Sequence, residues 1–244
     1  MSQNLPEFRR ASIKPVECLK EAYALIKDQY WLFLGITVVG LLIGGAVPIV
    51  IIGPMMCGIY MCLLQRMRGE EVKFETLFKG FDFFVPSLIA SLIQFVPIFI
   101  LFFGCYILFF AMFLALAASQ GGSGGGNPVA AVGMFVMIFI FVFVLLLIVT
   151  LIQGFFMFMY PLIVDKKLSG VDAVKTSFSA VRANLGGVFG LVLLNLGVTL
   201  LGVLCCYVGA FFVLPVTMAS HAVLYRKVFP PDFSQTAVAP QWQS

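Results

Sequence analysis

The sequence predicts an all-α, polytopic helical membrane protein with six transmembrane helices as three hairpins, each preceded by an interfacial amphipathic helix. Three observations predict it. Hydrophobic residues make up 61% of the chain and charged residues 11%, with a mean hydropathy of +1.08, whereas soluble domains carry about 25% charged residues. The charges fall only in four clusters, residues 7–28, 66–82, 165–182 and 226–232, and leave charge-free blocks at 29–65, 83–164 and 183–225. A helix crosses a hydrocarbon core ~30 Å thick with about 20 residues, so each block can go out and come back. A chain that returns after each block keeps every cluster on one side, and loops carrying Lys and Arg stay in the cytoplasm. Both termini are therefore expected inside.

Residues 1–30 form a cytoplasmic amphipathic start. Val16, Leu19, Tyr23, Ile26 and Tyr30 recur at helical spacing with Glu17, Lys20, Glu21, Lys27 and Asp28 opposite, the pattern of a helix in the membrane interface. No short apolar stretch with a cleavage site opens the chain, so its first hydrophobic segment reads as an uncleaved anchor. Hairpin 1 covers residues 31–65, entered at an aromatic belt of Tyr30 and Trp31 and turned at Pro48, Gly53 and Pro54. An amphipathic linker, residues 66–82, leads to hairpin 2 at 83–164, whose glycine-rich outer turn is 119–128. A cytoplasmic amphipathic helix at 165–184, hairpin 3 at 185–225 and a tail at 226–244 complete the single membrane domain.

The arms of hairpin 2, residues 83–118 and 129–164, hold 36 residues each. A straight helix of that length measures about 54 Å, more than ~20° of tilt absorbs, so the surplus is expected on the outer side. Strong tilt or a break at Gly104 is the alternative. A rival topology folds each arm in two, with turns near Gly104 and Leu146, but residues 142–149 are uninterrupted apolar and contain no turn former.

A shift of 155 residues carries Val16, Leu19, Tyr23, Ile26 and Tyr30 onto Val171, Val174, Phe178, Val181 and Leu185, and Glu17, Lys20 and Lys27 onto Asp172, Lys175 and Arg182. A shift of 58 gives a weaker copy at Phe74, Leu77, Phe81 and Phe84. The chain thus reads as three units in parallel orientation. Pro54 stands 12 residues before Arg66 and Pro215 stands 12 before Lys227, so two return helices share a register.

Gly53, Pro54, Gly58, Leu63 and Arg66, then Arg68-Gly69-Glu70 and Leu77, Phe78, Gly80 and Phe81, form a pattern that resembles uncharacterised bacterial multi-pass inner-membrane proteins with a cytoplasmic Arg-Gly-Glu to Leu-Phe-x-Gly-Phe loop between hairpins. Asp172, Arg182-Ala183-Asn184, Pro215 and Tyr225-Arg226 extend the resemblance to about 130 of the 244 residues. It implies the fold and a bacterial cytoplasmic (inner) membrane, and carries no activity. The glycine-rich turn departs from it.

No nucleophile with a base and an orienting partner is visible, and no catalytic role, cofactor or metal is expected. Glu70 and Glu71 are the one pair suited to acid chemistry, and they read as part of a solvated face in preference to it. Cys18, Cys57, Cys62, Cys105, Cys205 and Cys206 lack ligand spacing with the single His221 and read as small apolar thiols. His221, five residues before Arg226, reads as a hydrogen-bonded interfacial histidine in preference to a proton carrier. Gly40 with Gly44, Ala111 with Ala115, and Gly186 with Gly190 permit close helix packing. No basic stripe supports nucleic-acid binding.

Gln94 lies 12 residues after Asp82 and Gln153 lies 12 before Asp165, so the two amides are expected at one depth as an intramembrane polar pair. Two functions are expected in turn: a membrane scaffold or assembly partner, and a passive or accessory permease for a neutral or apolar solute. The scaffold would work as a homo-oligomer or with other membrane proteins in the lipid bilayer, through a contact surface of Phe109, Phe110, Phe113, Phe135 and Phe139. The permease would build its site from Gln94, Gln153, Asn195, Thr150 and Thr199.

Overall fold

A computed structural model describes residues 6, 8–47, 49–119, 128–204 and 208–231. Residues 120–127 of the glycine-rich turn, Pro48, Cys205 and Cys206 lie outside the described residues. Among those described, the regular structure is helical: α1 (Pro15–Ile26), α2 (Tyr30–Ala46), α3 (Ile52–Met67), a 3-10 segment (Phe74–Phe83), α4 (Phe84–Ser119), α5 (Pro128–Phe155), α6 (Met159–Lys166), α7 (Gly170–Ala183), α8 (Leu185–Leu204) and α9 (Val208–Val228). Five stretches are long and apolar enough to cross a membrane: Pro15–Ala46, Phe74–Leu114, Val132–Lys166, Leu185–Leu204 and Val208–Val228. The second arm of hairpin 1 is not among them, because α3 has 16 residues, about 24 Å of helix.

The order of an amphipathic segment, an outgoing helix and a return helix recurs three times along the chain. In the middle unit the amphipathic segment is a 3-10 helix of 10 residues, not the expected α-helix. It takes hold of the preceding return helix, α3. Likewise α7 packs on α6 and α4, and α1 reaches across the chain to α9. The three units therefore close into a ring, each amphipathic segment seated on the return helix of the unit before it.

The face that seats them takes only part of the large apolar stripe seen in the sequence. Ile26, Leu77 and Val181 of that stripe are fully buried, whereas Val16, Tyr23, Val171 and Phe178 are exposed, and small residues are buried beside them: Cys18 and Ala22 on α1, Thr76 and Gly80 on the 3-10 segment, and Ala173 and Ser177 on α7. These are the same positions under the shifts of 58 and 155. Small side chains let backbones approach, which is how helices associate where large apolar groups have another apolar phase to face.

The approach is closest between α3 and the 3-10 segment. A Cβ added at Gly58 would stand 1.9 Å from the Leu77 carbonyl oxygen, and one at Gly80 would stand 2.1 Å from that of Pro54. The loop pattern Gly53, Pro54, Gly58 and Leu77, Phe78, Gly80 is thus a packing device in this chain. Of the other small pairs, Gly40 abuts Ile59 and Leu77, Gly44 abuts Ile52, and Gly190 abuts Pro15, while Gly186 faces open space.

The long hairpin differs from expectation in one arm. α4 runs unbroken through Gly104 for 36 residues, and α5 runs unbroken through Leu146. The second arm breaks at residues 156–158, between α5 and α6. Pro161 explains part of this: lacking an N–H, it suits the first turn of a helix and disrupts an interior. Ser177 explains the rest, since its hydroxyl donates to the Phe155 carbonyl at 2.8 Å and accepts from the Phe158 N–H at 3.2 Å. One buried side chain on α7 thereby serves both loose ends of the break.

Candidate functional site

The three return helices meet in the buried core, and at one register they leave a space. A shift of 100 carries Met56 and Tyr60 onto Phe156 and Tyr160, and a shift of 161 carries them onto Thr217 and His221. All six line a cavity of about 260 Å³. The register completes the proline pattern, because Gly154, where α5 ends, stands 12 residues before Lys166 as Pro54 and Pro215 stand before Arg66 and Lys227.

The outgoing helices and α5 supply the rest of the wall: Gln94, Thr150, Gln153, Asn195, Leu196 and Thr199 among others. Every one of the five polar residues assigned from sequence to a solute site is thus on this cavity. Gln94 and Gln153 share it, and the bond made by Gln94 is to the Tyr160 hydroxyl, 3.4 Å from its Oε1. Tyr160 also lies 3.1 Å from Ser91 Oγ, which donates to the Ser87 carbonyl. Tyr60, Tyr160 and Thr217 were missed in the sequence. The signal was present, in the 12-residue spacing, had Gly154 been aligned with the two prolines.

His221 faces this cavity and not solvent at an interface. Asn195 Nδ2 donates to Ser220 Oγ at 2.9 Å and lies 3.1 Å from His221 Nε2. The Ser220 hydroxyl donates to the Thr217 carbonyl at 2.7 Å, so its oxygen accepts, and this orients the Asn195 amide with its NH2 toward Ser220 and His221. Nε2 of a neutral His221 then accepts and its proton is on Nδ1. Asn195 Oδ1 is left buried without a partner. Among the described residues no Asp, Glu, Lys or Arg lines the cavity, whose polar groups are amides, hydroxyls and an imidazole.

Toward the charged ends of the return helices, Leu63, Ile163 and Leu224 occupy one further register and are fully buried or nearly so. Beyond them lies an open basin of about 1170 Å³, lined by Arg9, Arg68, Asp165, Lys166, Lys167 and Arg226 among others. Its carboxylates are all matched. Asp165 accepts from both Arg226 terminal nitrogens, at 2.9 and 3.0 Å, and from the Tyr225 hydroxyl at 2.9 Å. Glu21 pairs with Lys227 at 2.7 Å. The hydrogen bond from Arg68 holds the Glu70 carboxyl below the usual carboxylate range.

On the long hairpin Phe110, Phe113, Phe135 and Phe139 are exposed, up to 73% at Phe139, while Phe109 stacks on Phe141 at 5.0 Å. Cys18, Cys57 and Cys62 are buried.

A family model described as a protein of unknown function (DUF975) matches residues 17–230. Uncharacterized proteins of Mycobacterium tuberculosis and Mycobacterium bovis are 38% identical to the chain over 79 residues, 32% of this chain and 24% of theirs. The chain thus spans about a quarter of the length of those relatives. No solved structure matches it. With the match running through all three units, the chain belongs to the DUF975 family of proteins of unknown function.

Proposed function

We propose that the protein is a passive or accessory permease for a small neutral solute, held in the cavity between the three return helices. It sits in the bacterial cytoplasmic membrane as six spans in three hairpins, with both termini inside. The spans are α2, α3, α4, α5 with α6, α8 and α9. The short α3 is accommodated by local thinning and by its burial among the others. One observation carries the reading: three repeat-related helices place Tyr60, Tyr160 and His221 around one uncharged polar cavity. By sequence position His221 is five residues from Arg226, and Gln153 is 12 from Asp165. At ~1.5 Å per residue the cavity spans about 8 to 18 Å from the charged line, inside the hydrocarbon core, where unused polar side chains are costly.

Single cysteines at Thr150, Gln153 and Thr199, labelled in membranes with a small uncharged, membrane-permeant maleimide after removal of the native cysteines, test this. They should react at least about tenfold faster than a cysteine at the exposed apolar Val144. Equal protection at all three would sink the solute-site reading.

A second observation favours the scaffold reading. α4 is 36 residues long and exposes apolar side chains along its described length, so about 54 Å of helix has to be covered. Lipid covers ~30 Å of it, and a second copy or another membrane protein would cover the remainder.

A further inference from the structure

We infer that the solute is a neutral amphiphile that enters sideways from the bilayer between α5 and α8 and places only its headgroup in the cavity. This rests on the solute-holding reading above and adds the class of molecule and its route.

The headgroup chemistry follows from the polar groups that stay reachable. Asn195 is 6% exposed, its NH2 is committed to Ser220 and His221, and its Oδ1 is sealed by its neighbours. On the open side of the cavity Gln153 is exposed and presents an amide that both donates and accepts. A hydroxyl-bearing, uncharged headgroup satisfies it.

The route follows from which sides are closed. Toward the charged basin the cavity is stopped by Leu63, Ile163 and Leu224, at most 1% exposed. Toward the lipid-facing side it is not. α5 and α8 close on each other at Gly154 and Phe155 against Phe189, whose ring stands 5.3 Å from that of Phe155. To the far side of that contact Gln153 is exposed and Thr150, Leu196 and Thr199 are half-buried, although all four line the cavity. The flanking Leu146, Ile148, Leu193 and Leu200 are exposed too. A polar opening rimmed by exposed leucine and isoleucine within a membrane meets acyl chains first.

Polarity sets the division between head and tail. The cavity, about 260 Å³ and lined by amides, hydroxyls and an imidazole, takes a polar group of about the size of glycerol, and a long apolar chain is left to lie along the exposed faces of α5 and α8.

The test uses the full chain in phosphatidylcholine nanodiscs with a long-chain monoacylglycerol carrying a diazirine in its acyl chain. Irradiation should label peptides containing residues 146–154 and 192–200, and Gln153→Leu should lower that labelling at least fivefold with thermal unfolding unchanged. Gln153 is at an exposed position, so the substitution removes the amide without disturbing a buried contact. A chain-matched phosphatidic acid should label these peptides no more than it labels α4. Labelling indifferent to Gln153→Leu is bulk lipid and overturns the inference. If monoacetylglycerol, which is water-borne, raises the melting temperature as much as the long-chain compound does, entry from the bilayer fails while the solute site stands. If neither compound binds, the solute site fails with it.

Discussion

Gly58 on α3 and Gly80 on the 3-10 segment pass each other with no room for a methyl group on either: a Cβ on Gly80 would lie 2.5 Å from the Gly58 nitrogen. The obstacles are backbone atoms, which cannot swing away as a side chain can. Gly58→Ala or Gly80→Ala should therefore lose more than the ~1–3 kcal/mol typical of overpacking and leave little monodisperse protein in detergent. Gly45→Ala and Gly104→Ala, which face open space, should be neutral or slightly stabilising, as alanine is the better helix former by about 1 kcal/mol. Equal melting temperatures for all four would refute the crossing.

Asp165 and Arg226 are 12% and 17% exposed at their side chains. Asp165→Asn leaves the guanidinium half-buried without its charge partner, and a cost of about 3–5 kcal/mol is expected. The double variant Asp165→Leu with Arg226→Met should recover most of it. Thermal unfolding of the three proteins checks the ordering, and a double variant less stable than Asp165→Asn would count against the pair.

Ser177→Ala removes the one hydroxyl that serves both ends of the α5 to α6 break. Two buried backbone groups lose their partner, at about 1–3 kcal/mol for each group left unsatisfied. Ser169→Ala, which removes the cap on the Asp172 N–H of α7 and an exposed hydrogen bond to the Asp172 carboxylate, should cost about 1 kcal/mol. A Ser177→Ala protein no less stable than Ser169→Ala would show that the break is held by Pro161 alone.

The six-span proposal puts the glycine-rich turn outside. A single cysteine at Ser123 should react with a membrane-impermeant reagent on intact cells. Reaction only after permeabilisation would put the turn in the cytoplasm.

Phe110→Ser with Phe113→Ser should reduce the particle size on detergent sizing while leaving the unfolding free energy within about 1 kcal/mol of the parent, as for exposed positions generally. An unchanged size removes the long hairpin as a contact between copies.

Much of the architecture was legible in one dimension. Charge-free blocks and the shifts of 58 and 155 residues announce helices and threefold repetition because hydropathy and charge are read residue by residue. The uninterrupted run 142–149 likewise announces a continuous α5. The polar residues Gln94, Thr150, Gln153, Asn195 and Thr199 stood out because amides and hydroxyls are rare in such runs, and they do share one cavity.

What the chain could not announce is which face of each segment turns inward. In water the large apolar stripe Val16, Tyr23 or Val171, Phe178 would be buried. Where lipid is available, only Ile26, Leu77 and Val181 of the stripe are fully buried, beside residues that let backbones touch, Ala22, Gly80 and Ser177. The break at residues 156–158 was equally hidden, because it depends on a hydroxyl delivered from α7, 19 to 22 residues along the chain. The same holds for His221, whose partner Asn195 comes from another helix. The sequence by itself determined the all-helical class, the long apolar stretches and the repeat, all properties of local composition. Tertiary structure decided the ring closure, the small-residue seats and the uncharged cavity, since each depends on distances between residues that the chain order leaves far apart.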